Sequence, residues 1–88
     1  MKLKKDYVLR QVAGTYVVLP LGRETVVFDG MLKLNESGAL LWKAMEQGAD
    51  MDTLVKVLTS EYAVTENQAR EDVTDFLNKL TQAGCTEA

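Results

Sequence analysis

The chain contains no histidine among its 88 residues, and only one cysteine and one proline. Without histidine it lacks the commonest general base at neutral pH and the commonest metal ligand. A zinc site needs about four Cys, His or carboxylate ligands at workable spacing, and Cys85 near the C-terminus does not begin one. A lone thiol has no disulfide partner, which fits a reducing, cytoplasmic setting. No nucleophile elbow surrounds Ser37 or Ser60. No phosphate-binding loop exists either, because each of the six glycines falls at an expected turn or helix end. No apolar run approaches the roughly 20 residues that span a bilayer. The lysines at positions 2, 4 and 5 lead into Asp6-Tyr7-Val8, not into a signal-peptide apolar region. These absences predict a protein with no metal, no cofactor, no membrane span and no catalysis of its own.

What remains is ordinary globular material. Hydrophobic residues make up 47% and charged residues 26%, which argues against disorder. The length allows one domain, taken as residues 1–88, whose small core leaves no room for a deep cavity. Charge is unevenly shared. Residues 1–35 hold six Lys/Arg against three Asp/Glu, a net of +3; residues 36–88 hold four against ten, a net of −6. The front is mildly basic and the back acidic.

The hydrophobic period changes once, near Leu34. Before it the chain reads as strands. Tyr7–Val12 and Thr15–Leu19 flank Ala13-Gly14, a tight hairpin turn, and Pro20 closes the second strand because it cannot donate to a ladder. Glu24–Phe28, Asp29-Gly30 and Met31–Leu34 read as a third strand, kinked or turned at Asp29-Gly30. After Leu34 the period is helical. Asn35 caps a helix over 36–47 with Leu40, Leu41, Trp42 and Met45 as its stripe, and Gly48 stops it. Asp50 caps a second helix over 51–62, carrying Leu54, Val55, Val57, Leu58 and Tyr62. Thr65 and Gln68 form a capping box for a third, in which Ala69, Val73, Phe76, Leu77 and Leu80 recur at helical spacing up to Gly84. Strands first and helices second predict an α+β domain: a three-stranded antiparallel sheet with three helices packed on one face.

Carboxylates are the remaining chemical candidates. Asp72 and Asp75 share a face of the third helix beside Glu71, but no other residue offers ligands, so a solvated face explains them. Asp50-Met51-Asp52 opens like a calcium loop, yet its sixth position is Val55 where that loop requires glycine. Trp42, Tyr62 and Phe76 sit on apolar stripes and read as core.

The segment Leu34-Asn35-Glu36-Ser37-Gly38-Ala39-Leu40-Leu41-Trp42 closely resembles the L-N-E-T-G-A-x-x-W stretch of the PqqD family. Ser60-Glu61-Tyr62, then Asp72-Val73-Thr74-Asp75-Phe76-Leu77 and Ala83-Gly84, follow in the family's order. The hairpin from Val8 to Pro20 is similar to one branch of it. The sequence departs from the pattern at Leu21-Gly22-Arg23-Glu24 and at Cys85-Thr86-Glu87-Ala88. The resemblance implies a winged helix-turn-helix-like peptide recognition element. Such a domain binds the leader of a ribosomally synthesised precursor peptide and presents it to a modifying enzyme, often a radical SAM enzyme. The leader adds a strand to the third β-strand and lies against the third helix. Carried onto this sequence, the groove comprises Val26, Val27, Phe28, Met31, Leu32, Lys33 and Leu34 on the strand side. On the helix side stand Gln68, Asp72, Asp75, Phe76 and Lys79. Strand register decides which of these face the groove, since a one-residue slip flips every side chain. Leu34 and Phe76 can instead be read as core.

Two other readings stand beside this one. Winged-helix domains often bind DNA, but a helix entering a groove must neutralise phosphates. The third helix instead holds Arg70 and Lys79 against Glu66, Glu71, Asp72 and Asp75, a net of −2. No nucleic-acid partner is expected. A protein-interaction subunit docking on a folded enzyme is compatible with the sequence as well.

Overall fold

The computed structural model describes residues 2–3, 7–20 and 32–87. Strands β1 (Lys2–Leu3), β2 (Tyr7–Val12), β3 (Thr15–Pro20) and β4 (Leu32–Leu34) precede helices α1 (Glu36–Glu46), α2 (Met51–Glu61) and α3 (Glu66–Gln82); a short β5 (Thr86–Glu87) follows. β2, β3 and β4 form an antiparallel sheet in that order, so β3 is central, and β1 pairs with β5 in a separate ribbon. The α+β architecture expected from the sequence is therefore present. The β1–β5 ribbon is an addition to it.

The β2–β3 hairpin turns on Ala13 and Gly14, whose φ values of 52° and 81° are both positive, the signature of a type I′ turn. Such a turn makes Val12–Thr15 a hydrogen-bonded pair, and the pairs alternate from there. Side chains alternate too. Tyr7, Leu9, Tyr16, Val18, Leu32 and Leu34 share one face and pack into the helical core. Val17 and Leu19 face the other way, yet they are buried as well. β3 is thus buried on both sides, which is why Val17-Val18-Leu19 runs apolar without alternating.

Each helix begins where a side chain can accept an otherwise orphaned N–H. Asn35 accepts from the Gly38 N–H at 2.8 Å, Asp50 from Thr53 at 2.9 Å and Thr65 from Gln68 at 3.1 Å. The capping box at α3 is only half formed, since the Gln68 amide donates to Asp72 Oδ1 at 2.9 Å. α3 ends in a Schellman arrangement: Gly84, at φ 76°, donates to Thr81, and Cys85 donates to the Leu80 carbonyl.

The expected stripes form the core. Ala69, Val73, Phe76 and Leu80 of α3 meet Leu54, Val55 and Leu58 of α2 and Leu41, Trp42 and Met45 of α1. Val57, Leu77 and Tyr62 are only half-buried at its margin, and Leu40, expected on the α1 stripe, is half-buried without joining it. Trp42 is fully buried at the centre.

Candidate functional site

The hairpin parity fixes where β4 points its backbone. Thr15, Val17 and Leu19 turn their polar groups to β2, so Tyr16 and Val18 turn theirs to β4. Tyr16 pairs with Leu34 and Val18 with Leu32, which makes those two pairs the hydrogen-bonded ones. The N–H and C=O of Lys33 are then directed away from β3, to the outer edge of the sheet. An independent contact agrees with this: the Lys79 ammonium on α3 donates to the Lys33 carbonyl at 3.2 Å.

Beside that edge lies a groove of about 300 Å³ between β4, α1 and α3. Leu34, Leu41, Leu58 and Phe76 form an apolar floor; Asn35, Ser37, Gly38, Asp72, Asp75 and Lys79 supply polar margins. Helical geometry explains the division on α3. At about 100° per residue, Gln68, Asp72, Asp75 and Lys79 fall within an arc of roughly 60°, offset from the buried row, and Phe76 is the core residue nearest them. One helix thus supplies both the hydrophobic seam and a charged border. Leu34 and Phe76, at 5% and 7% exposure, are core residues whose surfaces floor the groove.

The structure brings five of the twelve sequence-predicted residues to this groove: Leu34, Asp72, Asp75, Phe76 and Lys79. Gln68 stands behind it and orients Asp72. Lys33 contributes its outward backbone, while its side chain lies on the face opposite the helices, paired with Val17. Leu32 faces the helices and packs half-buried against the core. Val26, Val27, Phe28 and Met31, with the expected turn at Asp29-Gly30, lie outside the described residues. Sequence reasoning missed the contribution of α1 and α2 to the lining. One signal was available at Gly38, a glycine in the first turn of a helix where alanine is intrinsically better. A Cβ there would stand 3.3 Å from Leu34 Cβ and 3.2 Å from Asn35 Oδ1, so glycine is what lets β4 and α1 meet tightly at the groove.

Among the described residues, the rest of the surface offers little chemistry. Arg70 is engaged by Asp52 at 3.1 Å and Glu66 at 3.3 Å, which hold its guanidinium charged and tie the start of α2 to the start of α3. Among the described residues no group of three or more Cys, Asp or Glu side chains is arranged to hold a metal ion. Among them, too, no helix is long and apolar enough to cross a membrane.

Comparison with known proteins gives this geometry a context. The family model of coenzyme PQQ synthesis protein D (PqqD) matches residues 15–85. The fold is similar to that of TbiB1 in complex with the TbiA(beta) leader peptide, with a TM-score of 0.79 at 25% identity, over 100% of this chain and 96% of that one. It is also similar to lasso peptide synthetase B1 complexed with the leader peptide, with a TM-score of 0.78 at 22% identity, over 99% and 96% of the two chains. No curated protein matches. The family match takes in the β2–β3 turn's closing residue, all three helices and every described residue of the groove, and on that ground the chain belongs to the PqqD family.

Proposed function

We propose that this chain is a non-catalytic recognition element that binds the leader of a ribosomally synthesised precursor peptide and presents it to a modifying enzyme. The leader pairs in extended form with the outer edge of β4, antiparallel to it, and lays its apolar side chains in the groove against α3. A radical SAM maturase is the enzyme class to which the family resemblance points, and the cytoplasm is the compartment that a chain with a single cysteine suits.

The observation that carries this reading is the outward Lys33 N–H and C=O beside an apolar groove. Unpaired strand groups are a template for another strand, and backbone pairing supplies affinity with little regard to sequence. Lys79 satisfies the exposed carbonyl with a single exchangeable bond, which an incoming N–H can replace. Two proteins of similar fold hold leader peptides, TbiB1 among them at 25% identity. The chain has no histidine, and among the described residues no metal-ligand set competes for the role. The acidic α3 disfavours the nucleic-acid alternative, since it repels phosphate.

Where a short precursor peptide is encoded near this chain's gene, titration calorimetry with its synthetic leader half tests the proposal. Saturable one-to-one binding that survives deletion of the core half supports it. Binding that requires the core, or tighter binding to duplex DNA than to the leader, refutes it.

A further inference from the structure

The charged groups along the groove stand in a fixed order. Asp72 lies nearest the start of α3, Asp75 follows, Phe76 gives the apolar floor, and Lys79 closes the far end. With a rise of about 1.5 Å per residue, Asp72 and Lys79 are separated by roughly 10 Å along the axis. An extended strand presents side chains to one face about every 6.7 Å, so its positions i, i+2 and i+4 cover roughly 13 Å. The reach of a lysine side chain spans that difference. One strand can therefore set three successive same-face side chains against the acidic end, the apolar floor and the basic end.

We infer that the groove selects a dipolar strand: a basic side chain opposite Asp72 and Asp75, an apolar anchor over Phe76, and an acidic side chain opposite Lys79. The inference rests on the strand-pairing reading and adds a sequence rule to it. Backbone pairing cannot choose among peptides, so selection falls to the side chains bordering the groove. Asp72 is already oriented, held by the Gln68 amide at 2.9 Å. The Lys79 ammonium occupies the Lys33 carbonyl, where the N–H of an incoming strand has to go. Once displaced it needs another acceptor, and a carboxylate on that strand supplies one. A uniformly acidic peptide meets Asp72 and Asp75; a uniformly basic one meets Lys79. Only the mixed pattern matches both ends.

Five capped decapeptides with the central patterns Lys-Thr-Leu-Thr-Glu, Glu-Thr-Leu-Thr-Lys, Lys-Thr-Leu-Thr-Lys, Glu-Thr-Leu-Thr-Glu and Gln-Thr-Leu-Thr-Gln test the rule, titrated into the 15N-labelled protein. One of the two dipolar peptides should bind about fivefold or more tighter than the glutamine peptide and than the opposite dipolar order. The advantage should shrink in 0.5 M salt, where the Debye length falls to about 4 Å. A triple variant, D72K/D75K/K79E, should invert the preference to the other dipolar order; its changes lie on exposed positions, and near-UV dichroism checks its fold. Equal affinities with shifts on β4 and α3 would overturn the charge rule and leave strand pairing standing. Tightest binding by the double-lysine peptide would overturn the role of Lys79 and point to simple attraction by an acidic surface. If no peptide moved β4 or α3 amides, both readings would fall.

Discussion

The Lys79 ammonium on α3 reaches across the groove to the Lys33 carbonyl on β4, 3.2 Å away. This contact joins the last turns of α3 to the one described β4 residue whose backbone faces outward. It shields a strand edge that would otherwise invite pairing with any extended chain. It does so with an exposed, flexible side chain, the easiest kind of guard to displace.

The outward direction of Lys33 makes proline scanning decisive. Lys33→Pro deletes an N–H on the outer edge and should abolish leader binding while the protein stays folded, with its thermal transition lowered only modestly. Leu32→Pro deletes an N–H that serves the β3 ladder and should cost about 3 kcal/mol or more of stability. Denaturant unfolding of both variants checks the difference. Equal damage to the fold by the two prolines would mean that the β4 parity is wrong.

Charge on α3 should separate recognition from stability. Reversing Asp72 or Asp75 to lysine is expected to change leader affinity by about 1 kcal/mol or more. Surface positions of this kind change stability by only about 0.5 kcal/mol. Calorimetric titration of each variant, paired with a urea melt, reads both quantities. An affinity change no larger than the stability change would place both carboxylates in solvent.

The strand-to-helix corner makes a prediction that runs against helix propensity. Gly38→Ala would ordinarily gain about 1 kcal/mol in a helix. Here the added methyl meets Leu34 Cβ at 3.3 Å, an atom fixed to the backbone, and crowds the Asn35 cap at 3.2 Å. The substitution should lower stability and weaken leader binding together. Asn35→Ala should cost about 1 kcal/mol through loss of the α1 cap. Urea unfolding checks both variants. A stabilised Gly38→Ala protein would show that the corner can relax.

Asp50 gives the acid limb a specific origin. Its carboxylate accepts the Thr53 N–H, and that bond holds its pKa below the ordinary 3.8. A folded-state pKa below the unfolded one contributes stability above the unfolded value, lost as pH falls through the folded value. Fluorescence of the buried Trp42, followed in urea from pH 6 down to pH 2, should show stability falling below about pH 4. Asp50→Asn should flatten part of that fall. An unchanged acid limb in the variant would exclude the cap as its source.

The helices and the hairpin were legible because their signals are local. Asn35, Asp50 and Thr65 mark the three starts, and each accepts the N–H three residues on. Ala13-Gly14 marked the turn, and Ala69, Val73, Phe76 and Leu80 marked the buried face of α3. What escaped depends on contacts distant in sequence. β1 and β5 are two residues each, too short to show a period, and they pair across the whole length of the chain. The partition of Leu32, Lys33 and Leu34 between core, edge and groove follows from register with β3, which neither strand specifies alone. Ser37, Leu41 and Leu58 reach the groove only because three helices converge there. On α3, Asp72, Asp75, Phe76 and Lys79 line the groove together because helical spacing places them on one border. Gln68 fell one step short, spent on Asp72.

On the proposed reading, a leader peptide joins the sheet at the outer edge of β4 and packs against α3. The most direct measurement is an amide chemical-shift and hydrogen-exchange map of the labelled protein with and without its cognate leader peptide. The Lys33 amide should shift strongly and become protected from exchange on binding, together with shifts along Asp72–Lys79, while the Leu32 and Leu34 amides are already protected in the free protein. An unprotected Lys33 amide in the saturated complex, or shifts confined to α1 and α2, would contradict it.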